Sequence, residues 1–281
     1  MCHLPFKTPS PLLLMNNKIA IAGMGWLGLP LAQKLQLLGY RVSGSVTRLE
    51  KAHQLQQNGW DVYPITLSED GIKGPIDALL SDAEAVVVLI PPGLRRNTGS
   101  DHVLKMSHLL EAIVRSGVPN CLLVSSISVY GQEQGAVDES VRPKPETEAG
   151  RQLFQIEQLF MNAPFKSTVI RFGGLFGGSR QPVRYLAGRS DLAGGSAPVN
   201  LIHRDDCLGI MSEVIKQQAW GHIINGVYPE HPVKALYYAR KAEELNLEPP
   251  KFETGKSAEI FKKVDSIQLP SLLNYRYSRS L

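Results

Sequence analysis

The chain is 281 residues long, with 43% hydrophobic and 20% charged residues. That is ordinary globular usage, which excludes disordered, collagen-like and fibrous readings and suits one large α/β domain, alone or with a small appendage. The formal net charge of +4 comes without any long run of like charges, so neither a nucleic-acid arm nor a polybasic membrane patch is written into the sequence.

The cysteines Cys2, Cys121 and Cys207 are scattered, with no CxxC pair, which points to neither a disulfide framework nor a zinc site and fits a reducing cytoplasm. No apolar stretch approaches the roughly 18–20 residues that span a bilayer; the longest are Leu12–Met15 and Ala85–Ile90, so a soluble protein is expected. Residues 1–14 carry Pro5, Pro9 and Pro11 and no small-residue cleavage site, and they read as a disordered extension ahead of a start at Met15.

In chain order, strands are expected at Lys18–Ala22, Tyr40–Val46, Trp60–Ile65, Ala85–Ile90, Cys121–Ser125 and Ser167–Arg171. Apolar recurrence at i, i+3 and i+4 places helices between them at Leu27–Leu38, Leu49–Asn58, Ser100–Ser116 and Glu146–Asn162. This alternation predicts an α/β fold, a Rossmann-type doubly wound parallel sheet over residues 15–171. Beyond Arg171 come Gly/Pro-rich loops, a helix near Asp206–Gln217, a short strand at His222–Asn225 and a helix near Val233–Leu245. Residues 172–281 therefore read as a small C-terminal, substrate-side subdomain, a lid interleaved with the main domain.

The strongest chemical signal is Gly23-Met24-Gly25-Trp26-Leu27-Gly28, a GxGxxG between the first strand and the first helix. In such a turn the first glycine permits the bend, the second lets the backbone approach a pyrophosphate, and the third lets helix pack on strand. Gly23, Gly25, Trp26, Leu27 and Gly28 are thus candidate cofactor-binding residues. The second strand ends Gly44-Ser45-Val46-Thr47-Arg48, without the acidic residue that would hold a ribose 2′-hydroxyl. Ser45, Thr47 and Arg48 instead suit a 2′-phosphate, so NADP is favoured over NAD; the lesser alternative reads Arg48 as a solvated residue opening the next helix.

The fifth strand continues into Val124-Ser125-Ser126-Ile127-Ser128-Val129-Tyr130-Gly131. This string resembles the serine-containing strand of the extended short-chain dehydrogenases/reductases, the NAD-dependent epimerase/dehydratase family. Ile170-Arg171-Phe172-Gly173-Gly174-Leu175-Phe176-Gly177 and Val199-Asn200-Leu201-Ile202-His203-Arg204-Asp205-Asp206 resemble two later segments of the same family. The Gly-Trp-Leu-Gly turn, Ser-Val-Tyr-Gly and Val-Asn-Leu are shared with its atypical YeeZ-like bacterial group. Gly23–Arg48 also resembles the start of the hydroxyacid and 6-phosphogluconate dehydrogenases, but no long helical domain with a Lys-xxx-Asn helix follows.

The resemblance implies Ile90, Pro91, Ser125 and Arg171 beside the cofactor, a small-molecule substrate such as a nucleotide sugar, and a homodimer formed through the helices at Ser100–Ser116 and Glu146–Asn162. It implies no nucleic acid and no membrane. The family's chemistry uses a serine with a Tyr-xxx-Lys pair, the tyrosine acting as acid or base on the substrate oxygen. The serine position falls on Ser126, but the tyrosine and lysine positions fall on Ala149 and Leu153. A Tyr-xxx-Lys at Tyr237–Lys241 is a decoy on a helix away from the sheet edge. Tyr130, as catalytic or substrate-contacting residue, and His203, as substrate-contacting residue, remain candidates. Asp205 or Asp206 reads as a helix N-cap. Two classes stay open: an oxidoreductase or epimerase-like enzyme with a rearranged acid/base, and, as the alternative, a dinucleotide-binding or sensing protein without turnover; the missing Tyr and Lys favour the second, while the retained Ser126 and the Gly-rich loop at Gly173–Gly178 tip the reading slightly to the first.

Overall fold

The computed structural model describes residues 17–91, 101–253 and 261–281. The expected extension at 1–14, Cys2 and the helix start at Ser100 lie outside them. The elements, in order, are β1 (Lys18–Ala22), α1 (Gly28–Leu37), β2 (Arg41–Val46), α2 (Leu49–Gln57), β3 (Asp61–Pro64), β4 (Thr66–Ser68), β5 (Gly71–Lys73), α3 (Ile76–Leu80), β6 (Ala85–Val88) and α4 (His102–Ser116). They continue as β7 (Asn120–Ser126), β8 (Ala136–Val137), α5 (Glu148–Met161), β9 (Lys166–Phe172), β10 (Gly174–Phe176), β11 (Leu201–His203), α6 (Arg204–Lys216), β12 (Ile223–Gly226), α7 (Lys234–Glu244), β13 (Lys263–Val264) and α8 (Gln268–Ser271).

Seven of these strands form one parallel sheet in the order β12-β9-β7-β6-β1-β2-β3. The strand order reverses between β1 and β6, which opens a crevice at their carboxyl ends where doubly wound sheets take their ligands. Alternate side chains go to opposite faces. Ile19 and Ile21 join the core under α1, α2 and α6, whereas Ala20 and Ala22 join the core under α3, α4 and α5. The sheet draws its last strand, β12, from beyond Arg171, and α6 packs on α1, so the C-terminal half returns to the main layers.

A hairpin, β4 to β5, and the short α3 fill a stretch where no element was expected. The signal was the turn at Asp70-Gly71, whose glycine takes φ +130°. The small pair β10 to β11 and helix α7 share a separate apolar cluster. No helix among the described residues is long and apolar enough to cross a membrane. Cys121 and Cys207 are buried, free thiols.

Beneath the carboxyl edge, one charged network ties β7, α5 and β9 together. Glu157 and Arg171, with side chains 0% and 1% exposed, pair at 2.7 Å, and Arg171 Nε also donates to both Glu157 oxygens at 3.1 Å. Ser125 Oγ donates to Glu157 Oε1 at 2.6 Å, and Arg171 Nη1 donates to the Tyr130 hydroxyl at 2.8 Å. The pair holds its charges in the core only because each has its partner. Arg171→Met is expected to destabilise the fold by about 3–5 kcal/mol, the cost of leaving a buried carboxylate alone, and Arg171→Met with Glu157→Leu to regain much of it. Urea denaturation of the single and double variants checks this; a single variant as stable as the parent would contradict it.

Candidate dinucleotide site

The turn after β1 is shaped by contacts that leave no room for side chains. Gly23 has φ +109°, and a Cβ there would stand 3.1 Å from the Leu89 carbonyl oxygen. A Cβ at Gly28 would overlap the Gly23 carbonyl, and one at Gly44 would overlap the Met24 side chain. Gly25 differs: a Cβ there meets nothing within 4 Å. Gly23 and Gly28 thus serve the protein's own packing, while Gly25 is bare toward open space. The N–H groups of Trp26, Leu27 and Gly28 make no hydrogen bond among the described residues, and the first turn of α1 has no acidic residue. Unpaired N–H groups at a helix N-terminus, with the positive end of its dipole, form a receptor for an anion.

Ser45 was expected at the ligand, but it is buried and its Oγ accepts from Gly23 N at 3.0 Å while its carbonyl accepts from Met24 N at 2.7 Å. Its work is to seat the turn from below. Thr47 and Arg48 are exposed at the end of β2, and Arg48 takes the N-cap position of α2 in extended conformation. Lys51, one turn further, donates from Nζ to the Met24 carbonyl at 2.9 Å. This second cation beside the turn was missed, although it lies only three residues beyond Arg48. Ile90 is half-buried and Pro91 exposed just past β6, whose end is tied to β1 by Leu89 N donating to the Ala22 carbonyl at 2.9 Å.

On the other side of the crevice, Ser126 ends β7, half-buried, with Oγ accepting from Ser128 N at 3.2 Å. Tyr130 lies in the core beside this crevice. It is 1% exposed, and its hydroxyl donates toward the Asp138 carbonyl at 2.9 Å and Asn225 Oδ1 at 3.3 Å while accepting from Arg171. Burial pushes its phenol pKa up, against the lowering pull of the Arg171 charge. Ser125 and Arg171, expected beside the cofactor, spend their polar atoms on Glu157 in the same network.

Ala149 is half-buried, and Leu153 packs in an apolar cluster with Ile127, Val129 and Val264. The Tyr237 helix, α7, lies in the separate cluster with Phe176 and Val199. His203 is itself the N-cap of α6, its Nδ1 accepting from Asp205 N at 3.1 Å; Asp205 and Asp206, expected to cap, stand in the first turn. The imidazole edge packs on Phe176, and burial lowers its pKa.

Lys262 was also missed. It is 8% exposed and its ammonium donates to the carbonyls of Ile127 and Tyr130 at 3.1 and 2.9 Å, clasping the loop after Ser126; burial lowers its pKa. No local sequence pattern marks it, because it reaches the loop from more than a hundred residues away.

No family model matches the sequence. The chain is 33% identical over 265 residues to Protein YeeZ of Escherichia coli strain K12, an alignment covering 93% of this chain and 96% of that protein. Among solved structures it is similar to MoeE5 in complex with UDP-glucose and NAD (20% identity, TM-score 0.74, 94% of both chains). It is also similar to UDP-N-acetylglucosamine 4-epimerase from Bacillus cereus (16% identity, TM-score 0.74, 93% and 94% of the two chains) and to a functionally unknown conserved protein from Silicibacter pomeroyi (19% identity, TM-score 0.73, 94% of both chains). At these identities the solved structures speak to the fold. The sequence match along almost the whole length of both chains shows that the chain belongs to the same family as Protein YeeZ.

Proposed function

We propose that this protein binds a nicotinamide dinucleotide, NADP ahead of NAD, along the carboxyl edge of the sheet, and that it lacks the tyrosine–lysine proton relay of its relatives. The observation that carries the reading is the bare Gly25 beside three unpaired N–H groups: the turn is packed tight everywhere except where a diphosphate would approach. Thr47, Arg48 and Lys51 stand at the ribose end, and Ile90, Pro91 and Ser126 along the rest of the crevice.

A bound nicotinamide supplies or accepts a hydride. What this chain offers beside it is the Ser126 hydroxyl and, by resemblance, the methyl of Ala149 and the isobutyl of Leu153. These orient and exclude water; they move no proton. Tyr130 cannot stand in without leaving Arg171 and the core. The reading of a non-catalytic or sensing protein is therefore preferred over an enzyme with a rearranged acid/base. The nucleotide sugars named for the relatives are the class of small molecule to test, and the family's homodimer through α4 and α5 and a cytoplasmic location belong to the same proposal.

NADPH is expected to bind more tightly than NADH, and Arg48→Ala to erase the difference, since a charge-assisted contact to the 2′-phosphate contributes about 1.5–3 kcal/mol. Titration calorimetry measures both; equal affinities in the parent protein would defeat the NADP assignment.

Loss of a positioned general acid costs about 10² to 10⁴ in rate, so UDP-glucose and UDP-N-acetylglucosamine incubated with the protein and NAD or NADP should show no epimerisation above background by NMR. Robust turnover abolished by Tyr130→Phe, in a variant that still melts cooperatively, would overturn the non-catalytic reading and make Tyr130 a relocated acid.

A further inference from the structure

We infer that Arg180 and Arg204, held on the indole of Trp26, form a paired cationic receptor for the dinucleotide's own diphosphate. The inference rests on the reading of the glycine turn as the dinucleotide site and adds residues of the C-terminal half to it.

Trp26 is the fourth residue of the turn. Its backbone stands among the unpaired N–H groups, and its side chain carries two guanidinium groups, with Arg180 Cζ 4.7 Å and Arg204 Cζ 5.4 Å from the ring centroid. Arg180 is delivered by a tight bridge in which Gly177 N donates to its carbonyl at 2.8 Å and its own N–H returns to Gly177 at 3.1 Å. Arg204 is the first residue of α6. Room for the Arg204 head comes from glycine: a Cβ at Gly178 would stand 3.1 Å from its guanidinium.

The charges of this cluster do not balance. Neither arginine side chain pairs with a carboxylate among the described residues. The carboxylates of the first turn of α6 are committed elsewhere: Asp205 Oδ2 to Arg279 at 2.9 Å, and Asp206 Oδ1 to the Tyr275 hydroxyl at 3.0 Å and to the N–H and hydroxyl of Ser278 at 2.7 and 2.9 Å. Asp206 Oδ2 is buried and unpartnered but bonds to neither arginine. Two buried donors, Trp26 Nε1 and Arg204 Nε, have no acceptor among the described residues.

Like charges packed on one ring repel, and orphaned buried donors cost free energy; an arriving anion relieves both. Cation–π contact with an indole orients a guanidinium without consuming its N–H groups, which stay available to phosphate oxygens. A diphosphate fits better than a single carboxylate: there are two cations, and the Trp26 ring that carries them belongs to the turn that opens α1.

The test is calorimetric titration of the full chain with NADPH, ADP-ribose, 2′-AMP and inorganic pyrophosphate, comparing the parent with Arg180→Gln, Arg204→Gln, Arg204→Lys and the surface control Arg240→Gln. Each glutamine variant is expected to lose about tenfold or more in affinity for NADPH and ADP-ribose and to keep its affinity for 2′-AMP, which has no diphosphate. Arg204→Lys should recover part of the loss, and Arg240→Gln should match the parent. Unchanged NADPH affinity in both glutamine variants, with the parent binding normally, overturns the inference and leaves the dinucleotide reading standing. Equal loss for 2′-AMP overturns it too, since the arginines would then act only by shaping the turn. A parent that binds pyrophosphate through both arginines but no dinucleotide overturns the dinucleotide reading and keeps the receptor; a parent that binds neither overturns both.

Discussion

The close seating of α1 on β1 is the constraint on which the site depends. Gly28 has its backbone against the Gly23 carbonyl, Gly23 itself lies against Leu89 at the end of β6, and Ser45 from β2 receives the Gly23 N–H. Three neighbouring strands therefore fix one turn, with no freedom left for a side chain at either outer glycine. The consequence is that the N-terminus of α1 is aimed, not merely present, and that the bare edge at Gly25 points where nothing of the protein stands. The sheet reversal between β1 and β6 puts this turn at the crevice.

Arg171, Ser125 and Tyr130 sit at the carboxyl edge in sequence, yet Glu157 draws all three into one buried network. Glu157 occupies α5 one turn beyond Leu153, on the same face, so this helix brings a buried carboxylate to the corner beneath the sheet edge. Lys262 closes the arrangement from the far end of the chain by binding the two loop carbonyls beyond Ser126. The apolar face at Ala149 and Leu153 is thus part of a consistently packed corner.

The parallel sheet was legible because each strand is a short aliphatic run and each helix an apolar stripe, and β1 is found at the expected bounds, Lys18–Ala22. The glycine turn was legible for the same local reason. What was not legible is what a side chain meets. Ser45 has a hydroxyl in the right place along the chain, but strand alternation turns it under the turn, and His203 looks like a site histidine until its ring is found capping α6. Partners distant in sequence, such as Trp26 with Arg180 and Arg204, follow from the loop after β10 and from the packing of α6 on α1, which no window of residues contains.

In the proposed function, the turn holds a diphosphate through its backbone at Gly25. Calorimetric titration of NADPH into the parent and into Gly25→Val, with thermal melts of both, separates a ligand contact there from a packing role. Because a Cβ at Gly25 meets no protein atom, the account predicts parental stability with NADPH affinity reduced at least tenfold. A folded Gly25→Val that binds NADPH as the parent does would contradict it.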